Sequence, residues 1–169
     1  EVARFPTFAD AVTEYLRNAG AKPTRALFAV AGPVAGDTVR ITNSSWHVDA
    51  QALRAQFGFA SIRLVNDFAA MSAAVPQLTA ADLCPLGAPA APDLQDGAPR
   101  VLGVIGPGTG LGVGLLLMQQ QRTLIVETEG GHVAFGPAND EEVAVLGVML
   151  RRFGRVSNER LMCGSGLVN

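Results

Sequence analysis

Three short stretches of this sequence carry residue types and spacings that could do chemistry. Residues 106–112 read Gly106-Pro107-Gly108-Thr109-Gly110-Leu111-Gly112. Glycines at alternate positions permit left-handed backbone and let N–H groups come close to a ligand. A concave row of such donors suits a phosphate group. No Lys-Ser or Lys-Thr follows, so this is not a P-loop. Leu111 and Val113 stand where the dinucleotide fingerprint needs a third glycine. A tight hairpin without a ligand is the alternative reading.

The second stretch is Asn66-Asp67, which closes a short apolar run over residues 62–65. The carboxyl end of a buried strand is where α/β sheets place ligands. A carboxylate there can accept a proton from an attacking hydroxyl, as the base does in phosphoryl transfer. The competing role is a helix N-cap, for which Asp is well suited. The third stretch is Glu129-Gly130-Gly131-His132. Its carboxylate and imidazole could hold vicinal hydroxyls, with Glu accepting and His donating or accepting. A metal site is disfavoured because no other His, Cys or Asp shows ligand spacing. An ordinary polar turn is the plain alternative. His47, beside Trp46, reads as structural.

The bulk composition narrows the classes. The chain has 169 residues, 49% apolar and 17% charged, with a formal net charge of −2. That apolar content supports a packed core and argues against disorder. No basic block exists to meet phosphates of a polynucleotide, so no nucleic-acid partner is expected. Cys84 and Cys163 make neither metal spacing nor a disulfide framework, which fits reduced thiols and a cytoplasmic setting. Residues 101–118 are uncharged and close to the length of a membrane span. Six glycines and Pro107 argue instead for strand, turn and strand, and no membrane association is expected. The chain opens without Met and stops just after Gly164-Ser165-Gly166, so it is expected to be an internal piece of a longer protein.

These candidates need elements to position them. Thr7 should cap a helix through about Ala19, which Gly20 stops. A continuous apolar run over 26–31 predicts a strand buried on both faces. Residues 38–42 alternate as a half-buried strand does. Asp49 should cap a helix to about Phe57. A strand over 62–65 should empty into Asn66-Asp67, with a helix following from Phe68 to about Val75. From Pro76 to Arg100, Pro76, Pro85, Pro89, Pro92 and Pro99 predict a connector with little regular structure. The domain seam is expected near Gln77. Beyond it, strands are expected over 101–105, 111–117 and 123–127, then a helix over 141–153. That helix has acidic residues first, Arg151 and Arg152 last, and Gly154 as its stop. Ser157 should cap one more helix. The order predicts α/β layers, with parallel pairing early and a hairpin-like pair around the glycine turn.

Taken together and in order, these motifs resemble the ATP-dependent glucokinase family of bacteria. The resemblance is carried by Asn66-Asp67-Phe68, the glycine run 106–112, and Glu129-Gly130-Gly131-His132. It extends to Ser157-Asn158-Glu159-Arg160 and Gly164-Ser165-Gly166-Leu167, and to Thr42-Asn43-Ser44-Ser45-Trp46 ahead of them. The zinc-binding cysteine cluster of the related repressor and kinase group is missing, which favours the zinc-free branch.

The resemblance implies an α/β, ribonuclease H-like (actin/hexokinase-type) two-domain fold, present in part. Residues 1–77 would belong to the small domain and 78–169 to the first part of the large one. It implies transfer of the γ-phosphoryl group of ATP to the 6-hydroxyl of glucose, the first step of glycolysis, with glucose held in a cleft. By match, Asp67 would be the catalytic base. Asn66, Asp67, Glu129, His132 and Glu159 would contact the sugar. Gly106, Gly108, Thr109, Gly110 and Gly112 would cradle ATP phosphates, with Mg²⁺ neutralising them and no metal ligand among the site residues. A carboxylate is a weak base, so alignment and charge stabilisation must supply most of the acceleration. The family's opening Asp-Gly-Gly-Thr-Asn turn does not occur here, nor do the adenosine-binding part and closing helices. The chain by itself is therefore expected to bind nucleotide poorly and to be inactive. A homodimer is an option the sequence leaves open. The alternative in another class is a non-catalytic sugar-binding regulator on the same fold, which would not need Asp67 or an intact glycine turn. A glycosidase using Asp67 with Glu129 would need two carboxylates at a set separation and leaves the glycine turn without a purpose.

Overall fold

In the computed structural model, which describes residues 2–42, 44–87, 94, 96–120 and 122–169, the chain divides into two compact units, Glu1–Ala70 and Met71–Asn169. Asn43, Pro89 and Pro92 lie outside the described residues.

The first unit is built on local stop and start signals. Helix α1 spans Phe8–Ala19; Thr7 and Asp10 form a capping box, and Gly20 closes the helix in the left-handed region at φ 60°. Helix α2 spans Ala50–Phe57, with the Asp49 carboxylate accepting the Gln51 and Ala52 amides. Strand β1, Arg25–Val30, pairs in parallel with β4, Ser61–Asn66, in a register that sets Val30 opposite Asn66. A second, antiparallel pair joins β2, Thr38–Arg40, to β3, His47–Asp49. Alternation alone did not reveal β3, because three residues are too short for a period to register. Val30, Val39, Val48 and Leu53 form the core, with Phe8, Phe28, Ile62 and Leu64 packed against it. Trp46 is buried; it donates through Nε1 to the Phe5 carbonyl at 3.2 Å and meets the Phe8 ring edge-on. In the Thr42-to-Trp46 motif, Trp46 therefore anchors packing.

The run over 26–31 predicted a strand buried on both faces; within these 169 residues β1 alternates exposed and half-buried positions up to the buried Val30, and Leu27 is 58% exposed. An apolar run shows that both faces could be buried. Whether they are depends on what packs against each, which is a tertiary property.

The second unit holds an antiparallel sheet, β5 (Arg100–Pro107), β6 (Leu111–Gln119) and β7 (Arg122–Glu127), with β6 central. The uncharged stretch 101–118 is thus a hairpin, and among the described residues no helix is long and apolar enough to cross a membrane. Helix α4, Asp140–Phe153, is capped by Asn139 and stopped by Gly154. Helix α5, Asn158–Met162, is capped by Ser157. Between the strands and the preceding helix, the connector makes two single 3-10 turns, Val75–Gln77 and Ala80–Asp82. Helix α3, Asp67–Ala74, carries the chain across the division between the units.

Candidate active site

In the first unit, β4 delivers Asn66 and Asp67 to the start of α3. Asn66 Oδ1 accepts the Phe68 amide at 2.9 Å and the Ala69 amide at 3.1 Å. This is an N-cap arrangement, so Asn66 performs the role for which Asp67 was the alternative candidate. Its Nδ2 donates to the Gly32 carbonyl at 3.4 Å. Both lone pairs of Oδ1 and one N–H are thereby engaged, leaving one N–H for a further acceptor. Asp67 is half-buried, and its Oδ1 also meets the Phe68 amide, at 2.9 Å. Among the described residues it makes no ion pair.

In the second unit, a single 3-10 turn over Gly130–His132 follows β7. Thr128 fastens it: its hydroxyl donates to the Val113 carbonyl at 2.7 Å and accepts the Gly130 amide at 3.2 Å. The two glycines are required by contact. A Cβ on Gly130 would lie 2.8 Å from Val113 Cγ1, and one on Gly131 would lie 2.0 Å from the Leu111 carbonyl oxygen. The turn is pressed onto β6, which brings its flanking side chains together. His132 Nε2 stands 3.6 Å from Glu129 Oε2 and 4.0 Å from Glu159 Oε1. Glu129 and His132 are exposed, and Glu159 is partly buried at the first turn of α5. Two carboxylates beside one imidazole, open to solvent, present acceptors and a ring nitrogen suited to several hydroxyls. Among the described residues no group of three or more His, Cys, Asp or Glu could hold a metal ion.

Beside this cluster lies the glycine turn. Gly106 and Gly112 face each other across the β5–β6 ladder, so the tip is Gly108-Thr109-Gly110. None of the glycines from 103 to 114 has positive φ, which corrects the expectation that they serve left-handed backbone. At Gly110 close approach is the use instead, since a Cβ there would lie 2.5 Å from Glu159 Oε2, whereas Gly103 has open space around it. The row of N–H donors is also shorter than its sequence suggests. The Gly108 amide donates to the Gly110 carbonyl at 2.8 Å, and the Leu111 amide to Glu159 Oε2 at 2.9 Å. The Thr109 and Gly110 amides, with the Thr109 hydroxyl, have no partner among the described residues. They are the donors that the tip leaves for a further acceptor.

Two contacts here had no sequence signal. Glu159 reaches back 48 positions to Leu111, and the Gly164 amide donates to the Gly108 carbonyl at 2.8 Å. Only the glycine of Gly164-Ser165-Gly166 hinted at a close approach. Nearby, the Arg155 guanidinium donates to the His132 carbonyl at 2.6 Å, fixing the end of the Gly130–His132 turn. Cys163 is buried, and the Ser165 hydroxyl 3.2 Å from its sulfur holds the thiol below its ordinary pKa.

A parallel α/β unit followed by an antiparallel three-stranded sheet, with carboxylates and an imidazole beside a glycine hairpin, defines a hexokinase-like sugar kinase architecture. Solved glucokinases share it. The structure from an Antarctic psychrotroph superposes with a TM-score of 0.78 at 30% identity, covering 98% of this chain and 50% of that one. The glucokinase of Balamuthia mandrillaris, solved in complex with glucose, gives a TM-score of 0.71 at 26% identity, covering 95% and 50%. The glucokinase family model matches residues 1–169. Among curated relatives, the glucokinase of Stenotrophomonas maltophilia (strain R551-3) is 48% identical over 168 residues, covering 99% of this chain and 50% of its own length. That of Xanthomonas campestris pv. campestris (strain B100) is 45% identical over the same span. The chain belongs to the glucokinase family, and it spans about half the length of the curated relatives it matches.

Proposed function

We propose that this chain supplies the sugar-binding residues and one phosphate-binding turn of an ATP-dependent glucokinase. The observation that carries the reading is the gathering of Glu129, His132 and Glu159 around one imidazole nitrogen, directly beside the unpartnered amides of Thr109 and Gly110. Glu129 and Glu159 accept hydrogen bonds from sugar hydroxyls, and His132 donates or accepts one. Asn66 contributes its remaining N–H to a hydroxyl oxygen. Asp67 takes the proton of the 6-hydroxyl as that oxygen bonds to phosphorus and the bond to the leaving ADP breaks. Asn66 caps α3 through the Phe68 and Ala69 amides, and Asp67 shares only the Phe68 amide, through Oδ1, which leaves its Oδ2 available for this. The tip amides hold phosphate oxygens, while Gly106 and Gly112 shape the hairpin that presents them. When bound, ATP with Mg²⁺ supplies the γ-phosphoryl group, and the metal offsets its charge.

Residues 1–77 are assigned to the small domain and 78–169 to the start of the large one. A cytoplasmic setting and a homodimer belong to the same reading. The relatives and solved structures above are all glucokinases, which gives the regulator alternative no support. A coupled assay on the complete gene product tests the reading. Phosphorylation that requires both glucose and ATP supports it; glucose binding without turnover overturns it.

A further inference from the structure

The segment that follows Val156 holds the tip of the glycine hairpin at both ends. On one side the Glu159 carboxylate accepts the Leu111 amide at 2.9 Å. On the other the Gly164 amide donates to the Gly108 carbonyl at 2.8 Å. Leu111 is also pressed from its carbonyl side by the turn that carries His132, where Gly131 leaves no room for a Cβ. Glu159 itself is divided. Oε2 serves the hairpin and Oε1 faces His132 at 4.0 Å, within the group assigned to the sugar. A charged acceptor on a backbone amide is among the stronger hydrogen bonds, so movement of this carboxylate must be felt at the turn.

We infer that Glu159 is a positioning residue for the phosphate-binding turn as well as a sugar ligand. Hexose at Glu129, His132 and Glu159 and phosphate at the Thr109 and Gly110 amides are then linked energetically through the Leu111 N–H. Hydroxyls that order Oε1 also order Oε2, and with it the tip. The linkage is reciprocal: each ligand changes the affinity of the other by one factor. This inference rests on the sugar-kinase reading above.

The test measures glucose affinity of the full-length enzyme with and without a non-hydrolysable ATP analogue and Mg²⁺. Gly110→Ala is the informative variant. Its Cβ would lie 2.5 Å from Glu159 Oε2, the far end of a flexible side chain, so the carboxylate moves while the backbone stays. Position 110 is not assigned to the sugar, yet glucose affinity should fall about tenfold, on the scale of a lost charge-assisted hydrogen bond. The ratio of the two glucose affinities should fall to one. Gly103→Ala, with open space around its Cβ, should leave both unchanged. Glu159→Ala should weaken the analogue as well as glucose, whereas Glu159→Gln, whose amide oxygen still accepts from Leu111, should restore analogue binding.

Wild-type glucose affinity in Gly110→Ala, or weakened glucose alone in Glu159→Ala, overturns the linkage. So does a wild-type ratio of one. In each of these cases normal wild-type turnover would show that the kinase reading survives, and absent turnover would show that it does not.

Discussion

Asn66 Oδ1 accepts the backbone amide of Ala69 at 3.1 Å, together with that of Phe68, and so closes the first turn of α3. The carboxylate next to it adds only a second acceptor for the Phe68 amide, and an asparagine there keeps an acceptor oxygen. Asp67→Asn should leave the unfolding midpoint nearly unchanged while turnover of the full-length enzyme falls about 10²–10⁴-fold, the usual worth of a positioned base. At 1.36 kcal/mol per decade that is about 3–5 kcal/mol of barrier. Near-normal turnover would remove Asp67 from the mechanism. Asn66→Ala should instead cost about 0.5–2 kcal/mol of stability through the lost cap.

Gly131 sits where a methyl group would meet the Leu111 carbonyl oxygen at 2.0 Å, a backbone atom with no freedom to turn away. Gly131→Ala should therefore destabilise the protein by about 1–3 kcal/mol. Gly136→Ala, with nothing within 4 Å of its Cβ, should stay within about 0.5 kcal/mol of the parent. Urea unfolding of the two variants measures the contrast. Equal stabilities would mean that the Glu129–His132 turn does not press on β6.

Glu129 is exposed, with the His132 ring nitrogen 3.6 Å from its Oε2, so its removal should spare the fold. Glu129→Gln should raise the KM for glucose about ten- to hundredfold, because a hydrogen bond to a charged group is worth about 1.5–3 kcal/mol. The KM for ATP should move much less. Steady-state kinetics with each substrate varied in turn makes the comparison, and an unchanged KM for glucose would exclude Glu129 from the sugar.

Thr7 accepts the Asp10 amide at 3.2 Å, and Asp10 Oδ2 accepts the Thr7 amide at 3.1 Å. Thr7→Ala breaks this reciprocal cap and should cost about 1 kcal/mol. The helix it starts places Phe8 edge-on to Phe28 and Trp46. Fluorescence of Trp46, the one tryptophan of this sequence, should report the earlier unfolding.

What the sequence alone determined was whatever depends on neighbours in the chain. Thr7, Asp49 and Ser157 cap helices because their side chains reach amides two or three positions ahead, and Gly20 and Gly154 stop helices because they tolerate the left-handed region. The uncharged stretch 101–118 declared itself a hairpin through its glycines and proline. Motif order pointed to the family for the same reason, since each motif is contiguous.

The tertiary structure decided the relations across long separations. The same apolar run fits a strand covered on one face or on two, and what packs against each face is not written in the run. Asn and Asp both cap helices well, so only the geometry at α3 showed that Asn66 takes two amides while Asp67 shares just that of Phe68. Glycine spacing at 106–112 could serve backbone angle or close approach; at Gly110 the Glu159 carboxylate selects the second. A hydrogen bond spanning 48 residues leaves no periodicity or local spacing to read. It exists because β6, the Gly130–His132 turn and α5 pack together, and packing is a property of the folded chain.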